Sequence, residues 1–273
     1  MAAHASARRK PRTVSPDVRS RTGEARWQGC PTSWPCPSTG HAPWTAGTRG
    51  GPPARLDAGL QVAITELAHK HGATPFMVFQ TGLAMVLHEL GAGADIPLGT
   101  VVAGRADPAL DDLVGFFANT VVLRTDLSGD PSFTELLARV RGTTLDMYAH
   151  QELPFEQVVA AVNPPRSLSR HPLFQVMLVL QNVTGYEFEM AGLDVSVVEE
   201  ATSTAKFDLL ISLTEKYDER RRPLGVTGYL EYDTALFDPS TARRIGDRLA
   251  ELLATVVVAP GHRTFDAEDV TAV

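Results

Sequence analysis

The chain has 273 residues, a net charge of −7 and only two cysteines. Residues 1–50 carry eight Arg or Lys against two acids, so the rest of the chain holds a net charge of −13, which argues against nucleic-acid binding through a basic surface. No apolar run reaches the ~18 residues of a membrane span and no export signal is visible near the start, so the sequence predicts a cytoplasmic protein.

Two amphipathic helices open the regular part of the sequence, which begins near Leu56. The first is expected to end at Gly72. Thr74 and Pro75 provide an N-cap and a first-turn proline for the second, which GAGAD at 91–95 ends. The residues predicted to face inward, from their helical spacing, are Leu60, Ile64, Leu67, Ala68, Phe79, Leu83, Val86, Leu87 and Leu90.

Two strands and two further helices follow. IPLGTVVAG (96–104) and FFANTVVLRTDL (116–127) are rich in Val, Thr and Phe, and the second is expected to be buried on both faces. The Asp-Pro pair at 130–131 is predicted to start a helix, and Pro154 to open a shorter one that Asn-Pro-Pro at 163–165 must end. The longer helix is predicted to bury Phe133, Leu136, Leu137 and Val140.

The remaining predicted elements are strands and one long helix. LFQVMLVLQN (173–182) and LDVSVVE (193–199) are predicted strands, and KFDLLISLTEK (206–216) with GVTGYLEYD (225–233) forms a predicted hairpin. The final helix, capped by the Asp-Pro pair at 238–239, is expected to bury Ile245, Leu249, Leu252, Leu253 and Val256. The body, about 56 to 260, is therefore predicted to be an α/β fold of the α+β sandwich type, with helices against one sheet.

Three stretches of this body form an ordered set of motifs. They are VGFFANTVVLR (114–124), HQELPFE (150–156) and RSLSRHPLFQVML (166–178). In this order and spacing they resemble the last three core motifs of the condensation domains of nonribosomal peptide synthetases. Small departures from the family's usual residues occur at Ala118, Glu152 and His171.

The resemblance implies a fold similar to chloramphenicol acetyltransferase, with two lobes and an active site in a tunnel between them. The family joins two thioesters, held on the phosphopantetheine arms of carrier domains, through an amide bond, and the resemblance implies no directly bound cofactor. The family's catalytic motif HHxxxDG belongs to the first lobe, and no two of the eight histidines here are adjacent. Residues 53–273 are therefore expected to be the C-terminal lobe, inactive alone, and no catalytic or metal-binding residue is assigned.

Polar residues within these motifs are the candidates for lining the substrate tunnel. They are Asn119, Thr120, His150, Gln151, Ser169, Arg170, Gln175 and Gln181. Each has a structural alternative, since buried polar groups also need partners within the fold. Asn119 either binds a pantetheine or substrate carbonyl or satisfies a neighbouring loop. His150 either faces the interface or caps the helix at Pro154, and Arg170 either meets substrate or anchors a loop by an ion pair.

The resemblance also suggests partners. Carrier domains and the N-terminal condensation lobe are the expected ones, with nucleic acid and membrane excluded. The hairpin that contains Lys206 and Asp208 is expected to reach across to the first lobe as a latch, which gives these two residues a structural role. The alternative function is a non-catalytic module that docks carrier proteins or tailoring enzymes.

Residues 1–52 do not match the family. Residues 21–44 can be encoded by codons that give YWRGALAGVPDELALPVDRPRPV when they are read in the frame that starts one base earlier. This shifted sequence resembles the segment that joins the two lobes of condensation domains. We therefore interpret residues 1–52 as a disordered, out-of-frame segment. The cluster of cysteine and tryptophan in RWQGCPTSWPCPSTGHAPW (26–44) then needs no chemistry. His69 and His71 lie two positions apart on a predicted helix, on different faces, so no metal site is expected there.

Overall fold

The computed structural model describes residues 48–49, 56–165, 167, 170–181 and 204–263. Ser169, the predicted strand at 193–199 and nearly all of the segment 1–52 lie outside the described residues, so the structure does not test the predictions made for them.

A six-stranded mixed sheet organises the described part of the chain. Its strands are β1 (Thr48–Arg49), β2 (Asp95–Val102), β3 (Asn119–Asp126), β4 (Val176–Gln181), β5 (Leu209–Tyr217) and β6 (Pro223–Tyr232). The strand order is β1-β6-β5-β4-β2-β3. The hairpins β2–β3 and β5–β6 are antiparallel, whereas β4 runs parallel to both of its neighbours, β2 and β5.

Five α-helices and one short 3₁₀ helix accompany the sheet in the described residues. The α-helices are α1 (Ala58–Lys70), α2 (Pro75–Glu89), α3 (Phe133–Tyr148), α4 (Phe155–Val162) and α5 (Pro239–Val258). The 3₁₀ helix, Pro108–Leu110, lies in the loop between β2 and β3. The predicted helices and the predicted hairpin are thus confirmed, with boundaries shifted by a few residues.

The helix ends follow from local side-chain chemistry. Thr74 caps α2 as predicted, its hydroxyl accepting from the Met77 amide. For α3 the cap is Ser132 rather than the Asp-Pro pair before it, because Ser132 and Glu135 form a reciprocal capping box. Asn163 ends α4 in the left-handed conformation, at a φ of 46°.

The larger core lies on one face of the sheet, where α1, α2, α3 and α5 pack. The predicted inward residues of α3 and α5 belong to this core and are at most 5% exposed. A smaller apolar cluster lies on the opposite face, where α4 packs on Leu173, Phe174 and Met177. Among the described residues, four helices cover one side of the sheet and one short helix covers the other.

Two sequence predictions about strands are wrong. The second strand was expected to be buried on both faces, but burial alternates along β3, with Val121, Leu123 and Thr125 buried and the residues between them only half-buried. The reason is that β3 is an edge strand of the sheet. In the described residues, the face with its half-buried side chains is covered by one helix, whereas four helices cover the other face. The strand predicted from Leu173 begins instead at Val176, since Leu173 and Phe174 turn into the smaller cluster.

Candidate ligand cavity and its supporting residues

A cavity of about 520 Å³ lies where the β2–β3 loop meets the connection between α3 and α4. It is lined by Gly104, Ala106, Phe116, Phe117, Ala118, Asn119, Thr120, Gln151, Glu152, Pro154, Phe155 and Glu156. Two of the three sequence motifs, 114–124 and 150–156, supply ten of these twelve residues. The cavity combines aromatic walls with a hydroxyl, amides and two carboxylates, which is the usual make-up of a small-molecule site.

Asn119 fixes the connection that carries the chain from one face of the sheet to the other. Its Nδ2 donates to the carbonyl oxygens of Gln151 and Leu153, both at 2.9 Å, and its Oδ1 accepts from the amide of Phe155 at 3.3 Å. These bonds tie the start of α4 to the start of β3. Asn119 thus satisfies a neighbouring loop and also lines the cavity, and its contact with a pantetheine or substrate carbonyl stays a prediction.

The β2–β3 loop, residues 103–118, is closed around the side chain of Arg105. Its guanidinium donates to the carbonyl oxygens of Leu110, Asp111 and Leu113, at 3.5 Å for Asp111 and 2.8 Å for Leu113. The same guanidinium carbon lies 4.3 Å from the ring centroid of Phe117. Sequence reasoning missed this residue, although it directly follows the predicted strand IPLGTVVAG (96–104).

The tip of this loop is apolar and exposed. Val114 and Phe116 are 104% and 92% exposed, and Leu113 is 50% exposed. Side chains of this size are seldom presented to solvent side by side without a role in contact.

The structure brings together only some of the predicted site residues. Asn119, Thr120 and Gln151 line the cavity, and Gln151 also donates from Nε2 to the carbonyl oxygen of Tyr148 at 3.1 Å. His150 is exposed beside the cavity residues, with Nδ1 2.8 Å from the Asp146 carbonyl oxygen at the end of α3.

The candidates in the third motif and β4 lie elsewhere. Gln175 is buried, and its Nε2 donates to the carbonyl oxygen of His171 at 2.9 Å. Arg170 and Gln181 are exposed, and neither lines the cavity. A tunnel-lining role for these residues stays a prediction.

His171 lies behind the cavity wall in a cluster of phenylalanine rings. Its ring centroid is 4.0 Å from that of Phe174, 5.2 Å from that of Phe155 and 5.4 Å from that of Phe207. Burial lowers the pKa of His171 to about 4, against a smaller opposing effect of a backbone hydrogen bond with Phe174. The imidazole is therefore neutral near pH 7 and acts as a flat apolar neighbour of Phe155.

Asp208 lies at the start of β5, near the exposed Arg170. Burial, and to a lesser degree the charge of Asp233, raises the pKa of Asp208 to about 6, while Arg170 acts in the opposite direction. The interaction with Arg170 agrees with the loop-anchoring alternative for that residue. Neither carboxylate is among the residues that line the cavity.

Within the residues that the structure describes, no three His, Cys, Asp or Glu side chains lie close enough together to hold a metal ion. In the same part of the chain, no helix is both long and apolar enough to cross a membrane.

Comparison with known proteins identifies the family. The model of the condensation domain matches residues 53–269. A probable non-canonical nonribosomal peptide synthetase, CymA, of Salinispora arenicola (strain CNS-205) is 48% identical over 230 residues, which is 84% of this chain and 3% of that protein. A dimodular nonribosomal peptide synthase of Bacillus subtilis (strain 168) is 48% identical over 209 residues, 77% of this chain and 9% of that protein. The chain thus spans a small part of these relatives.

Solved structures give the same answer for the fold. The X-domain from teicoplanin biosynthesis superposes with a TM-score of 0.84 at 31% identity, over 93% of this chain and 57% of that one. The X-domain in complex with OxyB gives a TM-score of 0.82 at 32% identity, over 92% of this chain and 55% of that one. The chain belongs to the condensation-domain family of nonribosomal peptide synthetases and has the chloramphenicol acetyltransferase-like fold of that family.

Proposed function

We propose that this chain acts as the C-terminal lobe of a condensation domain, whose intact form joins carrier-bound aminoacyl or peptidyl thioesters. In that reaction the acceptor amine attacks the donor thioester carbonyl, so a C–N bond forms, the C–S bond breaks, and the amine loses a proton as the carrier thiol is released. The observation that carries this proposal is the cavity, since ten of its twelve lining residues come from two of the family motifs.

The cavity suits the end of a phosphopantetheine arm. The half-buried rings of Phe117 and Phe155 provide apolar walls, and the exposed ring of Phe116 lies at the rim. The hydroxyl of Thr120 provides a polar group for an amide or carbonyl. Asn119 takes no direct part in this proposal, because its amide already bonds the loop before α4. Its role is to hold Phe155 in the wall.

We expect no turnover from the chain by itself. HHxxxDG is not in the sequence, and a general base in the family's position typically contributes about 10² to 10⁴ in rate. The other half of a two-sided tunnel would also supply much of the positioning on which amide formation depends.

A second candidate is a docking module without chemistry. The similarity to the X-domain from teicoplanin biosynthesis favours it, because that domain has been solved in complex with OxyB and matches this chain with a TM-score of 0.84 at 31% identity. The first condensation domain of the calcium-dependent antibiotic synthetase matches with a TM-score of 0.67 at 16% identity. On this alternative the lobe would bind a carrier domain or a tailoring enzyme and hold it in place.

One experiment separates the two. The chain is mixed with two loaded carrier domains, with and without an HHxxxDG-bearing N-terminal lobe added as a separate polypeptide, and the amide product is sought by mass spectrometry. Product only in the complete mixture, lost when the second histidine of that added motif is replaced by alanine, supports the lobe proposal. Product from the chain alone would refute the expected inactivity. Carrier binding without product in either mixture would favour the docking module.

A further inference from the structure

We propose that Arg105 is a positioning residue, which holds the β2–β3 loop in the shape that forms the cavity before any ligand arrives. The proposal rests on the proposed function only in naming the occupant of the cavity. Five of the lining residues lie in this loop, so its conformation sets one side of the cavity: Gly104, Ala106, Phe116, Phe117 and Ala118.

The loop is closed at its neck by backbone packing. Gly104 has a φ of +69°, and a Cβ at this position would lie 1.8 Å from the carbonyl oxygen of Phe117. The two ends of the loop are thus in contact, and only glycine fits both the conformation and the space. This neck fixes where the loop leaves the sheet, but it does not order the twelve residues between.

Two side chains form hydrogen bonds inside the loop. The Asp107 carboxylate accepts from the Ala109 amide at the start of the 3₁₀ helix, whereas Arg105 bonds across the loop. The short 3₁₀ helix Pro108–Leu110 ends in carbonyl groups that need donors, and the Arg105 guanidinium donates to those of Leu110, Asp111 and Leu113. A planar guanidinium has five N–H donors in a fixed geometry, and the guanidinium carbon of Arg105 lies 4.3 Å from the centroid of the Phe117 ring. Arg105 therefore connects the far side of the loop directly to an aromatic wall of the cavity.

Charge alone would not give this arrangement. A lysine ammonium at the same position keeps the charge, but a single nitrogen cannot reach several diverging carbonyl groups and also contact the Phe117 ring. Both Arg105→Lys and Arg105→Gln should therefore release the loop.

The chain offers a matched control in Arg139. Its guanidinium donates to the carbonyl oxygens of Asp126 and Ser128, at 3.0 and 2.9 Å, in the loop that follows β3. That loop supplies no cavity residue. Arg139→Gln removes the same type of contact at a place where the cavity does not depend on it.

The test uses the full chain and a defined probe, the amide analogue of acetyl-pantetheine in which NH replaces the thioester sulfur. Its Kd is measured from the ¹³C-methyl shifts of Ala106 and Ala118, and hydrogen exchange is measured over 106–116. If Arg105→Lys or Arg105→Gln lowers the fraction of closed loop to about one tenth, the Kd rises about tenfold and exchange across the loop accelerates, with Tm little changed. Arg139→Gln should leave the Kd and the exchange over 106–116 as in the unmodified chain.

Three results would overturn the proposal: exchange over 106–116 that stays slow in Arg105→Gln, an unchanged Kd despite faster exchange, or an equal loss of affinity in Arg139→Gln. A wild-type chain that shows no shift with the probe would refute the pantetheine part of the proposed function. In that case the exchange measurement still decides whether Arg105 sets the loop, since it needs no ligand.

Discussion

A single amide group, that of Asn119, determines how the chain passes around the edge of the sheet at β3. The connection between α3 and α4 leaves the larger core and reaches the opposite face, and two of its carbonyl groups and one amide have Asn119 as partner. Unpaired backbone groups in such half-buried positions cost free energy, so an amide side chain with donors and an acceptor fits the site. The amide offers two N–H donors and a carbonyl acceptor, whereas the hydroxyl of threonine, a residue of similar size, has a single donor.

Asn119→Asp should therefore destabilise the chain near pH 7 by about 1 to 3 kcal/mol, since the carboxylate would face two carbonyl oxygens without a donor. These oxygens would raise the pKa of the new carboxyl above its unfolded value of about 3.9, so the loss should grow as the pH rises through the folded pKa and shrink toward pH 4. Urea unfolding at several pH values measures it. Gln181→Glu makes the same exchange at an exposed position and should change stability by less than about 0.5 kcal/mol. Equal losses at both positions would contradict the assigned role.

Asp208 gives the wild-type chain its own pH dependence. Its pKa is about 6 in the folded state against an ordinary 3.8, so the folded chain binds this proton more tightly than the unfolded chain. The free energy of unfolding should consequently fall by up to about 3 kcal/mol between pH 4 and pH 6 on account of this group and then level off. Asp208→Asn should remove that slope, and Asp233→Asn should shift it to lower pH.

His171 contributes the opposite slope, since its folded pKa of about 4 lies below the ordinary 6.5 and its stabilising effect is lost as the pH falls through that range. The contribution of Asp208 is therefore obtained as the difference between wild type and Asp208→Asn in the free energy of unfolding, measured as a function of pH. If the free energies of unfolding of the two proteins change in parallel from pH 4 to 7.5, the pKa of Asp208 is not raised by folding.

At the scale of the elements, α4 packs on the sheet through an apolar cluster that contains Phe174. Phe174 is fully buried, and its ring occupies the space above Gly99 of β2, where a Cβ would lie 2.2 Å from a ring carbon. Phe155 of α4 packs edge-on against Phe174, with 6.1 Å between ring centroids. The glycine in the strand thus makes room for the ring on which the short helix rests.

Gly99→Ala should destabilise the chain by about 1 to 3 kcal/mol through overpacking, and it should loosen α4 first. Gly142→Ala is the matched control, because Gly142 lies on the exposed side of α3 with nothing within 4 Å of its would-be Cβ, and alanine there should stabilise by about 0.5 to 1 kcal/mol. Thermal unfolding and hydrogen exchange of α4 measure both. Adding Phe174→Leu to Gly99→Ala should restore part of the loss, and a further decrease would argue against this packing.

The helices and the β5–β6 hairpin could be predicted from the sequence because periodicity and end signals are local. The burial of β3 and the start of β4 could not, since both depend on which layer covers the second face of the sheet. The site was predicted in part: the motifs named Asn119, Thr120 and Gln151, which line the cavity. Arg105 was missed because its partners lie five to eight residues along an irregular loop, where no period exists to reveal them.

For the molecule as a whole, the exposed tip of the β2–β3 loop should govern association. Leu113, Val114 and Phe116 form an apolar group that Arg105 keeps in a fixed place, so it cannot fold back on the body. We expect the chain to self-associate and to bind a hydrophobic dye.

The variant Val114→Ser with Phe116→Ser should reduce dye fluorescence and self-association without lowering Tm, because both side chains are almost fully exposed. Val258→Ser, which changes another exposed valine at the end of α5, should have a much smaller effect. Size-exclusion chromatography with light scattering measures the association. A monomeric wild-type chain that binds no dye would contradict this expectation.

The parallel strand β4 has a consequence for how the chain folds. The hairpins β2–β3 and β5–β6 pair neighbouring segments and can close early, whereas β4 reaches β2 only after the chain has passed through α3 and α4, and reaches β5 only after residues 182–208. When segments distant in sequence pair, the loop-closure entropy is lost before the contacts between them contribute favourable free energy. The two hairpins are thus expected to form as separate halves, with the docking of β4 between them as the slow step that makes them one cooperative unit.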